Sequence, residues 1–161
     1  MKTYAQLLVS GALAVVQAAL SSTLSAREQK ELKVSCDAVP EPVRAAFQKS
    51  FPKATMTRCG KEAEQGKTAY EISSKEGAIR RDVLFYPDGT LIVIEEAVAF
   101  DTVPDPVKQA VRQKYPNGKI ALSEKVLRDS NVLYEFRIKQ GRKLMEIVFD
   151  PEGAEVPVKT R

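Results

Sequence analysis

Histidine and tryptophan are absent from this 161-residue chain, and cysteine occurs only twice. Without His there is no Ser-His-Asp or Cys-His nucleophile, no His-ligated zinc or haem, and no imidazole acid/base chemistry. Carboxylates, Lys, Tyr, Ser and two thiols are the whole chemical stock. No C-x-x-C pair occurs, which argues against thiol redox catalysis. The 25 basic and 21 acidic residues are interspersed, giving a net charge of +4. That balance suits neither a disordered acidic chain nor a nucleic-acid binder, which would show basic patches interleaved with aromatics. Aromatics are only 7% of residues, so a large aromatic contact surface is not available either. An EF-hand loop is missing and Glu95-Glu96 is too little for calcium. No cofactor and no metal are expected.

Long hydrophobic runs are also scarce. The one candidate, Ala5 to Leu20, is short for a membrane span and interrupted by Gln17. It follows Lys2 and precedes small residues from Ser21 to Ala26, the three-part pattern of a secretory signal peptide. Cleavage near Ala26 is expected, with Ser25 as the rival site and no Cys there to carry a lipid. The mature chain would retain 24 basic and 21 acidic residues and no stable membrane span, placing it in the periplasm or outside the cell. In that oxidising setting Cys36 and Cys59, 23 residues apart, are expected to pair as a structural disulfide.

What the chain does have is a repeat. Sliding it by 64 residues lays 37–97 on 101–161 without a gap, and 15 of the 61 pairs are identical, among them Pro40/Pro104, Pro42/Pro106, Tyr70/Tyr134, Glu71/Glu135, Phe85/Phe149 and Gly89/Gly153. Average composition would give roughly four. The organisation read from this is a signal peptide at 1–26, an N-terminal segment at 27–36, and repeats at 37–100 and 101–161.

Each repeat opens on D-x-V-P-[ED]-P-V, where proline suits the first turn of a helix. Val43, Ala46, Phe47 and Phe51, matched by Val107, Ala110, Val111 and Tyr115, form an apolar stripe at helical spacing, ended by Pro52 and Pro116. Four strands follow: near Thr55 to Glu62, Thr68 to Ser74, Ile79 to Phe85 and Leu91 to Ala97, then near Lys119 to Val126, Val132 to Lys139, Lys143 to Phe149 and Glu155 to Val158. Short turns such as Pro87-Asp88-Gly89 and Pro151-Glu152-Gly153 make consecutive strands antiparallel. The fold class is therefore α+β: two tandem helix-plus-four-stranded meanders, with helices on one sheet face and the other face open. Tyr70, Ile72, Val83, Phe85, Tyr134, Phe136, Ile147 and Phe149 are the expected helix-facing set.

The V-P-x-P-V start, the F-P or Y-P stop, the Y-E-[IF] strand and the F-x-P-[DE]-G turn, each present twice, resemble the PepSY-like family of exported bacterial proteins, whose fold is similar to that of beta-lactamase inhibitory protein. The resemblance covers the mature chain from Asp37. It implies tandem modules forming a curved sheet, with a concave face that in the inhibitor grips an enzyme.

Catalytic motifs fare poorly. Gly60 to Thr68 is one residue too long between glycines for a P-loop and carries Glu62 and Glu64 where phosphates would lie. Ser50-Phe51-Pro52-Lys53 matches S-x-x-K, but neither S-D-N nor K-T-G accompanies it. By strand alternation Leu84, Val93 and Val148 point to the open face, among Glu71, Asp82, Glu135, Arg137 and Glu146, with Leu91 and Leu144 beside them. These make a candidate partner-binding patch, aliphatics ringed by charge. The leading function is thus an exported, non-catalytic protein-binding or inhibitor-like module. Its expected partner is an exported or envelope protein or peptide, not nucleic acid. The alternatives are a small hydrolase using Glu71 and Asp82 or their counterparts, and a self-associating structural envelope protein.

Overall fold

The computed structural model describes residues 31–157, so the expected signal peptide and the last four residues lie outside the described part. The strands are β1 (Leu32–Val34), β2 (Thr55–Glu64), β3 (Lys67–Glu76), β4 (Ile79–Phe85), β5 (Leu91–Ala97), β6 (Lys119–Arg128), β7 (Asn131–Gln140), β8 (Lys143–Phe149) and β9 (Glu155–Val156). Helix α1 (Glu41–Ser50) precedes β2 and α2 (Asp105–Lys114) precedes β6. All nine strands form one open antiparallel sheet in chain order. β5 pairs with β6 from Val93↔Arg128 to Ala97↔Glu124. The two repeats therefore share one sheet.

Both helices begin with proline in the first turn and end where Phe51 and Tyr115 leave helical geometry, just before Pro52 and Pro116. Their buried stripes are Val43 with Phe47 and Val107 with Val111. The first packs on Ile72, Val83 and Phe85, the second on Phe136, Ile147 and Phe149, as the alternation predicts. Following the ladder from Ile94 through Leu127 to Tyr134 and Phe136 puts both helices on the same face. The repeated turn explains its glycine. Gly89 and Gly153 each hold φ at +87°, and a Cβ on either would fall 2.7 Å from the carbonyl oxygen of Pro42 or Pro106. Each turn thus lies against the start of its helix and tolerates no side chain there.

Cys36 and Cys59 form the expected disulfide. It ties the turn before α1 to β2, and closing a 23-residue loop contributes roughly 3 kcal/mol through the unfolded chain. β1, which the sequence pattern did not predict, pairs with β2 through Val34↔Cys59 beside this bond.

The helix-free face departs from expectation. Leu84, Val93 and Val148 do point away from the helices, but they are only 1%, 1% and 7% exposed. Leu84 and Val93 belong to a third apolar cluster with Ala69, Ile92 and Val126, flanked by Tyr86 and Leu133. They are core residues, not an exposed contact patch. The cause is curvature. Glu64 at the end of β2 and Arg128 at the end of β6 form an ion pair at 2.7 Å, although four strand spacings, about 19 Å, would separate those strands in a flat sheet. Bulges at Met56/Arg58, Leu84/Phe85 and Ile120/Leu122 add twist and bend. The sheet curls until its own side chains cover the middle of the concave face. Glu64 and Arg128 are repeat-equivalent positions of opposite sign, so the repeats clasp each other. Leu91 and Leu144 remain exposed.

Candidate binding face

Alternation along the strands sends Arg58, Gly60 and Glu62 of β2, Glu71 of β3, Asp82 of β4, Glu124 of β6, Glu135 and Arg137 of β7 and Glu146 of β8 to the concave face. The registers Gly60↔Glu71, Glu124↔Glu135 and Arg137↔Glu146 fix their rows. The result is a diagonal acidic band crossing both repeats beside the apolar cluster. Glu71, Asp82, Glu135, Arg137 and Glu146 share this face as the sequence suggests. Leu84, Val93 and Val148 are its buried neighbours on the same face, Leu84 opposite Glu71 and Val148 opposite Glu135.

Three members of the band are held in unusual states. Burial, with Asp82 and Glu31 close by, pushes the Glu71 carboxyl up to about 7 against the opposing pull of Arg58. Burial with Glu146 and Glu124 nearby does the same for Glu135, also to about 7, against Arg137. The Glu124 carboxyl is raised by burial, with Asp82 and Glu146 adding to it and Arg137 opposing. Glu71 and Glu135 are identical in the repeat, so the two halves set the same device twice.

Their neighbours differ. Arg58 donates a 2.8 Å hydrogen bond to Glu71 and lies 3.4 Å from Glu31, whereas the repeat equivalent of Arg58 is Leu122. Gly60, the equivalent of Glu124, has no side chain, and a Cβ there would fall on the Glu31 carboxylate. A residue from before β1 thus supplies to the first repeat the carboxylate that Glu124 supplies to the second. Glu124 is 6% exposed and makes no hydrogen bond or ion pair with any described residue. It stands directly opposite Glu135 across the ladder, an arrangement of like charges that costs stability when both ionise.

Sequence reasoning missed Glu31, Arg58 and Glu124. Comparing repeats hides Glu124 because its partner position is Gly60; the alternation through Val126 would have found it. Arg80 lines a separate cleft of about 470 Å³ with Val98, Phe100, Ile120 and Leu122. Neither Glu71 nor Asp82 lines that cleft. Among the described residues no three acidic side chains, alone or with cysteine, are grouped to hold a metal ion, and no helix is long and apolar enough to cross a membrane.

Comparison with known proteins places this geometry. Solved structures with the same fold include a protein described as periplasmic from Bacteroides eggerthii (18% identity, TM-score 0.65, covering 74% of this chain and 86% of that one). A DUF2874 family protein from Bacteroides ovatus matches at 17% identity and TM-score 0.60 over 73% of this chain and 84% of that one. A BLIP-like protein from Bacteroides fragilis matches at 18% and 0.58 over 73% and 84%. No curated protein matches. The description of beta-lactamase-inhibitor-like, PepSY-like proteins matches residues 25–93 and again 80–154, once for each repeat. With both repeats matched and the fold shared, the chain belongs to the beta-lactamase-inhibitor-like, PepSY-like family.

Proposed function

We propose that the protein is an exported, non-catalytic binding module whose two repeats, 37–100 and 101–161, jointly present the concave sheet face to an envelope protein or peptide. The observation that carries this reading is Glu124: a side chain only 6% exposed, with no hydrogen bond or ion pair among the described residues, set opposite a second carboxylate on the sheet face that no helix covers. Ionising two desolvated carboxylates side by side costs folding energy, and a partner that offsets their charge recovers that energy on binding. Glu71, Asp82, Glu135, Arg137 and Glu146 are the contact residues in this reading. Leu84, Val93 and Val148, buried beside them, shape the face. Membership of a family described as inhibitor-like supports a protein partner.

A carboxylate hydrolase is the second reading, favoured by the raised Glu71 carboxyl with a second carboxylate, Asp82, nearby. It lacks a cleft containing the pair, since the 470 Å³ cleft is lined by other residues.

The experiment is affinity capture from envelope extract with three forms of the mature protein. Glu124→Lys/Glu135→Lys is expected to lose the captured partner at least tenfold, while a helix-surface control, Lys49→Glu/Lys114→Glu, retains it. Equal capture by the wild type and the face variant would contradict the reading.

A further inference from the structure

We propose that the partner enters this face with a lysine or arginine side chain seated between Glu124 and Glu135. The inference rests on the binding face proposed above and adds the chemistry of what it takes. Three observations point to a single protein-borne cation. Glu124 is 94% buried, forms no hydrogen bond or ion pair among the described residues, and points into the acidic band. The cation already present, Arg137, is surface-exposed and one step along β7, opposite Glu146, and it forms no ion pair within 4 Å with either glutamate. Arg137 therefore acts on both carboxylates only through space, and among the described residues no cation is paired with either. The chain as a whole is positive at +4, so this band is a local reversal of sign, and charge complementarity selects a basic visitor.

The surroundings favour a side chain over a bare ion. No three acids here are spaced to hold a metal. A lysine or arginine needs only two carboxylates, and it brings an apolar stem that must lie on something. The stem finds the partly exposed Leu133, paired with Val126 in the next row of the same face. Both charge and stem are matched within one patch.

Docking a cation there favours the ionised form of both carboxylates. Glu135 faces Glu124 of β6, Arg137 of its own strand and Glu146 of β8; Glu124 faces Asp82 of β4, Glu146 and Arg137. Burial and like charge raise both groups, and Glu135, pushed up to about 7, is partly protonated near neutrality in the free protein. A visiting ammonium or guanidinium lowers them, so protons leave as it binds.

The test uses the mature protein, isotopically labelled, with an acetyl-(Ala-Lys)3-amide probe, its glutamate counterpart, spermine and calcium chloride. The lysine peptide is expected to move the amide resonances of Glu124, Glu135 and Glu146, with affinity falling at least tenfold in Glu124→Gln/Glu135→Gln. Calorimetry at pH 7 in two buffers of different ionisation enthalpy should show proton release that the double variant lacks. Glu146→Gln, at an exposed position, serves as a folded single-site comparison expected to weaken binding less. Absence of any lysine-peptide effect on this row overturns the proposal, as does an equal effect of the glutamate peptide. Response to spermine or calcium but not to the peptide overturns it in favour of a small cation. Loss of natural-partner capture in Glu124→Lys/Glu135→Lys without lysine-peptide binding would remove the cationic occupant and leave the binding face standing.

Discussion

Replacing Leu84 by alanine is expected to lower stability by about 3 kcal/mol, and replacing it by aspartate to unfold the protein. Leu84 is 1% exposed, although no helix lies on its side of the sheet. It pairs with Glu71 on one strand and Val93 on the other, so the backbone on both sides is fixed by ladder hydrogen bonds. The cavity left by truncation cannot collapse, and losses of this kind fall at about 2–5 kcal/mol. Urea unfolding measures it, as a lower midpoint with an unchanged slope. Leu144→Ala, at an exposed position of the same face, should cost no more than about 0.5 kcal/mol. A cost below about 1 kcal/mol at Leu84 would mean that the concave face is open where the structure closes it. The same burial disqualifies Leu84 and Val148 as sites for probing binding, because charge placed there breaks the core before it reports on a partner.

The second large effect is a stability profile that falls as pH rises toward neutrality. Glu71 and Glu135 are each held at about 7 in the folded chain, against 4.5 for an ordinary glutamate. Between those values the folded state binds more protons than the unfolded one, so stability decreases with rising pH. The contribution is fully present below about pH 4.5 and is lost as pH passes through 7. A shift of that size corresponds to roughly 3 kcal/mol for one fully buried group. Partial solvent access reduces it, so a total of a few kcal/mol for the pair between pH 5 and 8 is expected. Glu71→Gln/Glu135→Gln should flatten the profile over that window and equal or exceed the wild type at pH 8. A wild-type profile that rises between pH 5 and 8 would contradict the assignment. Asp88 and Asp105, held below the usual carboxylate range by a backbone hydrogen bond from Thr90 and by Lys108, act in the opposite sense and only below about pH 4.

These two effects mark where the sequence was legible and where it was not. Helices and strands were readable because each repeat shows its period plainly: Val43 and Phe47 at helical spacing, Tyr70, Ile72, Val83 and Phe85 in alternation, and Pro and Gly at the ends. The facing of Glu71, Asp82, Glu135 and Glu146 followed from that alternation. Burial of Leu84 did not, because alternation assigns a face and says nothing about curvature, which depends on strand number, on bulges and on contacts between strands far apart. The Glu64 to Arg128 clasp is visible in sequence only as a change of sign between equivalent positions. β1 escaped because three residues, Leu32 to Val34, carry too little pattern, and their pairing is set beside the Cys36 to Cys59 bond. Glu31 escaped for a related reason: it acts from outside the repeat, over a glycine whose missing side chain gives no sign of what fills the space.

Site-specific photocrosslinking in the native envelope tests the central claim most directly. A benzophenone side chain placed at Leu144, exposed on the concave face, is compared with one at Gln109, exposed on α2. The account predicts a discrete crosslinked partner from position 144, absent when Glu124→Lys/Glu135→Lys is added, and none from position 109. A partner crosslinked from position 109 and not from 144 would contradict it.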